Sequence, residues 1–274
     1  MSFPETRLTL IQRIATGGDA GDWRQFFEDY WRPIFRFSVR QGRLSLEDAE
    51  EVASHAFETL LRTGLLSRWI SNREARLRTL LCAVVRNLLS NRSRLLAGRE
   101  RSLRAHGGDM DELLANPEIG PTSQNPEAED AFFAAWAEEL LETAMEHLLG
   151  EFHRVGKGDH FRVLHGRICE SLSFLEIADE LKLPVSSVEN YYRRTRHRLG
   201  ELLERLVRQH VERYTPPSDI SAEFRREWQR LGEFLGSRGG IESALLRARA
   251  EFDPVALQRH QRQSIAALLA HCPT

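Results

Sequence analysis

The sequence predicts an all-α fold: two helical domains joined by an acidic flexible linker, with a C-terminal helical extension. Three observations carry this. Apolar residues recur at three- and four-residue spacing in almost every segment, the two-residue alternation of a half-buried strand is absent, and capping residues or Gly and Pro punctuate the apolar runs. The domain bounds read 1–104, 105–127 for the linker, 128–214, and 215–274 for the extension.

A first helix is expected over Glu5 to Thr16, with Leu8, Ile11 and Ile14 or Ala15 on one face and Gly17-Gly18 ending it. A second runs from about Asp19 to Gly42. Its aromatic stripe, Trp23, Phe26, Phe27, Tyr30, Trp31, Phe35 and Phe37, has helical spacing and reads as core, and Pro33 should kink or restart it. Ser45 is the expected N-cap of the third helix, with Glu47 and Asp48 in the first turn, where acids favour the positive dipole end. Ala49, Val52, Ala53, Ala56, Phe57 and Leu60 face inward, while Asp48, Glu51, His55 and Glu58 form an outward stripe. Gly64 closes this helix and Thr63 to Glu74 reads as a loop carrying Trp69. The fourth helix, about Asn72 to Leu96, is apolar in its first half and basic in its second, with Arg86, Asn87, Asn91, Arg92 and Arg94 on its far part.

Residues 105–127, rich in Gly, Pro and acids, read as the linker. Helices resume near Ala128 and continue to Gly150, then from His160 to Cys169. Ser171 to Arg213 reads as a helix-turn-helix. Ser173 with Glu176 is a capping-box pair that starts a short helix bearing Ile177 and Ala178, and Pro184 ends it. Ser186 with Glu189 repeats the pair before a longer helix with Val188, Tyr191 or Tyr192, Thr195, Leu199, Leu202, Leu203 and Leu206 inward. Such a hairpin can place its second helix in a major groove. Ser186, Ser187, Glu189 and Asn190 would then reach base edges, and Arg193, Arg194, Arg196 and Arg198 would meet phosphates. The extension divides into Ala222–Leu235, Ile241–Phe252 and a last helix with Asp253 as cap and Pro254 at its first position, expected to dock on the preceding domain or on another chain.

Charge is segregated although the formal net charge is only -2. Arginine-rich stretches at 86–104 and 193–213 flank a span, 105–153, that has no lysine or arginine and many acids. Two basic modules separated by an acidic spacer suggest two contacts with a polyanion. Cys82, Cys169 and Cys272 are far apart and predict no disulfide framework, which fits a reducing cytoplasm. MSFPETRLTL has no signal-peptide pattern, and no apolar run reaches the roughly 18 residues of a membrane span.

Two separated segments carry a family resemblance. Asp48-Ala49-Glu50-Glu51-Val52-Ala53-Ser54-His55-Ala56-Phe57 resembles the DAEDLVQE-x-F signature of region two in bacterial sigma factors of the extracytoplasmic-function (ECF) group. Leu77-Arg78-Thr79-Leu80-Leu81 through Arg86-Asn87 to Arg94 is similar to the rest of that region. Leu172 to Val188, with Arg194, Arg196 and Arg198-Leu199, resembles region four. The resemblance implies a region-two helical bundle and a region-four helix-turn-helix in a promoter-specificity subunit without catalysis or cofactor of its own. Its partners would be core RNA polymerase and promoter DNA, and the family admits an anti-sigma factor. Asp48, Glu51, His55 and Glu58 would meet the polymerase clamp helices. Trp69, Arg86, Asn87, Asn91 and Arg94 would recognise and open the minus-ten element, and the second helix of the hairpin would read the minus-thirty-five element. The linker would thread the RNA-exit path.

The chain also departs from the pattern. Ser54-His55 stand for Gln-Glu, Leu80 for Trp and Asn91 for Asp, while Glu189, Asn190 and Tyr191 stand for Lys, Ser and Arg, which predicts an unusual promoter sequence. The competing reading is a free-standing helix-turn-helix regulator that binds operator DNA as a dimer. A metal-dependent hydrolase using His147, His153, His160, His165 and Cys169 is disfavoured, because no HExxH or paired CxxC accompanies them.

Overall fold

A computed structural model describes residues 9–71, 76–102 and 125–272. Among them the fold is all-α, as expected. The chain forms two compact units, one gathering Leu10–Trp136 with Leu257–Thr274, the other built on Ala137–Ala256. The predicted extension is therefore divided, residues 215–256 going with the helix-turn-helix and 257–272 with the first helices.

The first unit contains α1 (Leu10–Ala15), α2 (Ala20–Gly42), α3 (Leu46–Thr63), α4 (Leu65–Ser71) and α5 (Leu77–Ser102). It also holds the start of α6 (Pro126–Arg154) and most of α12 (Pro254–Leu269). Asp19 caps α2 by accepting the Asp22 amide at 2.9 Å. This helix runs through Pro33 without restarting, and the residues around the proline, Trp31 to Ser38, are buried. Burial of that aromatic run offsets the one amide that proline removes. The stripe is core, as its spacing predicts: Phe57 of α3 meets Phe27 edge-on at 4.9 Å and Phe26 at 5.6 Å. Ser45 caps α3 through the Asp48 amide, and Gly64, at φ 61, ends it in the left-handed conformation.

The expected loop after Gly64 is instead the short helix α4. Leu65 and Leu66 are buried and α4 packs on α1, so burying two leucines folds a segment whose flanks read as turn. Residues 72–75 lie outside the described residues, as do 105–124 of the predicted linker. Asn125, at its end, accepts the Ala128 amide at 3.1 Å and so caps α6.

The second unit holds the rest of α6 with α7 (Gly158–Cys169), α8 (Phe174–Leu181), α9 (Val185–Tyr214), α10 (Ile220–Ser237) and α11 (Ile241–Glu251). Val163, Ile177, Ala178 and Val188 form the small core of the helix-turn-helix, flanked by Leu172, Phe174, Leu181 and Leu183. The predicted capping box on α8 is present: Ser173 Oγ accepts the Glu176 amide at 3.2 Å, and Glu176 Oε2 accepts the Ser173 amide at 2.7 Å. Lys182, at φ 55, takes the left-handed turn that ends α8.

The second predicted box does not form. Pro184 is the residue that caps α9, its carbonyl accepting the Ser187 and Val188 amides at 2.9 and 3.2 Å, and no side chain caps the helix. Pro184 is pre-set for an extended entry, so the helix begins two residues earlier than a cap at Ser186 would place it. At the C-terminal end α10 packs on α9 and α11 on α7. Asp253 Oδ1 accepts the Val255 amide at 3.0 Å, the predicted start of α12.

Candidate nucleic-acid interface

The side chains predicted to meet DNA from the hairpin lie along one helix, but the structure treats them differently. Ser186, Glu189, Arg193, Arg194 and Arg196 are exposed, while Ser187, Asn190 and Arg198 are half-buried. Arg193 Nη2 donates to Asn190 Oδ1 at 3.1 Å, so a residue expected to read bases and one expected to hold phosphate are joined. Arg194 has no carboxylate partner among the described residues.

Arg198 is held most firmly. Its Nε and Nη2 donate to the two oxygens of Glu151, both at 2.8 Å, and its Nη1 donates to Glu201 at 2.6 Å. A bidentate guanidinium–carboxylate pair is directional and strong for its exposure. The Arg198 hydrogen bonds hold the Glu151 and Glu201 carboxyls below their ordinary value. A guanidinium so engaged is a brace between α6 and α9 before it is a phosphate contact.

Arg196 and Tyr192 share a partner that the sequence did not reveal. Arg196 Nε donates to Glu242 Oε1 at 2.5 Å and the Tyr192 hydroxyl donates to the same oxygen at 2.9 Å. Burial, with the bond to Glu242, pushes the Tyr192 hydroxyl up to about 12. Tyr191, which stands where the family pattern has a positive charge, turns toward the body of the unit instead. Its ring stacks on His160 with centroids 3.9 Å apart and planes 19° from parallel, and His160 in turn stacks on Phe152. Thr195 Oγ1 donates to the His160 carbonyl at 3.3 Å, which fixes the same crossing of α7 and α9.

In the first unit, Asp48, Glu51, His55 and Glu58 lie on one face of α3, with Glu51 and His55 exposed and the other two half-buried. Asp48 and Glu51 are not isolated charges. Arg92 of α5 donates to Glu51 Oε2 at 2.8 Å and makes a short bond to Asp48. The expected polymerase contact and the basic half of α5 are thus electrostatically joined. Arg86, Asn87 and Asn91 are half-buried on α5, and Trp69 is half-buried on α4 rather than on a loop. The Arg94 side chain lies outside the described residues.

Two links from the end of the chain were also unforeseen. Glu50 accepts from Ser264 Oγ at 2.6 Å and lies 2.7 Å from His260 Nδ1, and Arg32 Nε donates to Gln261 Oε1 at 2.7 Å. No group of three or more His, Cys, Asp or Glu residues that could hold a metal occurs among the described residues. His165 instead faces Glu170 at 3.2 Å, and Cys169 accepts a long bond from Arg249. No described helix is long and apolar enough to cross a membrane.

Comparison with protein-family models, curated proteins and solved structures finds no match.

Proposed function

We propose that the chain is a promoter-specificity subunit of the ECF sigma type, which binds core RNA polymerase and directs initiation by recognising two promoter elements. What carries the reading is the face of α9. Behind a tight turn from the capped helix α8, it offers Ser186, Glu189, Asn190, Arg193 and Arg194 on one helix whose opposite side is buried. A polar N-terminal stretch followed by arginines matches base contact followed by phosphate contact. The acidic stripe of α3 beside the basic half of α5 adds a second surface in the same chain, suited to a basic protein partner and to single-stranded DNA respectively. The chain supplies recognition, and the polymerase supplies the chemistry.

Run-off transcription tests this directly. Core polymerase with the full-length chain should yield a discrete transcript from a selected promoter, and core polymerase alone should not. If the chain instead protects a DNA site tightly as a dimer, with no need for polymerase and no transcript, the free-standing regulator is the correct reading.

A further inference from the structure

The Arg196–Glu242 pair joins the helix expected to contact DNA to a helix of the C-terminal segment within one compact unit. Glu242 lies in the first turn of α11, where a carboxylate is favoured by the helix dipole. That helix is anchored, because Ala244, Leu245 and Ala248 are buried and it packs on α7. The carboxylate is therefore held in place by packing, and its arrival at Arg196 is not a chance encounter of two long side chains. Tyr192, Arg193, Arg196 and His197 line a shallow surface depression with Glu242.

Along α9, residues 192, 193, 196 and 197 follow three- and four-residue spacing, so their side chains share one stripe. Its donors are a guanidinium Nε and a phenol hydroxyl, both directed at one carboxylate oxygen. A phosphodiester oxygen accepts from the same two donors with the same charge sign. Burial works to raise the Glu242 carboxyl, but its own backbone amide, Arg196 and Tyr192 outweigh that effect and its pKa is lowered. It is thus ionised at neutral pH and acts as an anion on this stripe.

We propose that Tyr192, Arg193, Arg196 and His197 form a site for a backbone phosphate of DNA, which Glu242 fills in the free chain, so that the C-terminal segment competes with DNA for α9. The inference rests on reading α9 as the DNA-contacting helix. It gives the segment a role: DNA must displace α11 from the stripe, and any partner that draws α11 away raises DNA affinity. The carboxylate subtracts one arginine contact and places a negative charge beside the phosphate path.

The test uses the full chain and a short fluorescent duplex of arbitrary sequence, with affinity measured by anisotropy across a salt series. Glu242→Gln and Glu242→Ala should each tighten binding about fivefold or more, the lower range of ordinary coupling between sites. Each should also steepen the dependence of log affinity on log salt by about one ion. Adding Arg196→Ala to Glu242→Gln should remove the gain. If both Glu242 variants bind as the parent does while Arg194→Ala still weakens binding, the competition is overturned and the DNA-contacting role of α9 stands. If Arg194→Ala also has no effect, or no variant binds the duplex, that role fails and the inference falls with it.

Discussion

His260 Nδ1 lies 2.7 Å from Glu50 Oε2, across 210 residues of sequence. The other Glu50 oxygen accepts from Ser264 Oγ, so one carboxylate on α3 receives two side chains one turn apart on α12. Glu50→Ala should leave the Ser264 hydroxyl, only 5% exposed, without its acceptor and destabilise the first unit. The expected loss is about 1–3 kcal/mol, the cost of an unsatisfied buried hydroxyl. Urea denaturation checks the loss, and faster amide exchange along α12 locates it.

Ser173→Ala removes the hydroxyl half of the capping box that starts α8, leaving the Glu176 amide without its acceptor, while the Glu176 carboxylate still accepts the backbone amide of residue 173. A loss of about 1 kcal/mol is expected, seen as a lower denaturation midpoint and weaker protection of the α8 amides. The hydrogen bonds from Ser173 lower the Glu176 carboxyl. A depressed carboxyl contributes stability above its ordinary range and loses it as pH falls through the lowered value. The parent should therefore lose this contribution in acid, whereas Glu176→Gln should show no corresponding acid step.

Burial, with Lys157 and Arg194 nearby, lowers the His160 pKa from its ordinary 6.5. Its Nδ1 is buried with no hydrogen-bond partner, so a proton there would be neither solvated nor paired. The sign follows from linkage: the unfolded chain binds the proton more readily, so stability is full above 6.5 and falls as pH drops through the lowered folded value. His160→Phe keeps a ring against Tyr191 and Phe152 and removes the titration. Its stability should vary less than the parent's from neutral pH to pH 5, as thermal melts across that range would read.

Arg198→Ala and Arg194→Ala should separate bracing from DNA contact. Arg198 is paired with Glu151 and Glu201, so its loss should lower stability by about 1 kcal/mol, discounted for partial exposure. Arg194→Ala should leave the melt unchanged while reducing the salt slope of duplex binding by about one. The two substitutions are equal in charge, so equal effects on both readouts would contradict the division.

Phe57→Ala opens the aromatic centre of the first unit, where its ring meets Phe26 and Phe27. A loss of about 3–5 kcal/mol is expected for a buried phenylalanine, measured by chemical denaturation.

Much of the fold was legible because helices are written locally. Three- and four-residue spacing marks the buried face, and the Ser45, Ser173 and Asp253 caps act over two or three residues, so each stands where the chain spells it. Local signals failed where a neighbouring signal or tertiary burial overrode them. Ser186 with Glu189 spells a second capping box, yet the extended entry at Pro184 starts α9 first. The segment after Gly64 spells a loop, yet burial of Leu65 and Leu66 makes it α4.

By itself, then, the sequence determined the helices, their buried faces, and which stretch offers a polar and basic face. Tertiary structure alone decided what each charge on that face meets. Glu242 reaches Arg196 across 46 residues, Glu151 reaches Arg198 across 47, and Glu50 reaches Ser264 across 214. Periodicity reports that a side chain points outward and carries no information on what packing brings to it. An arginine stripe that reads as uniform in sequence thus became a brace at Arg198, an exposed cation at Arg194 and an occupied anion site at Arg196.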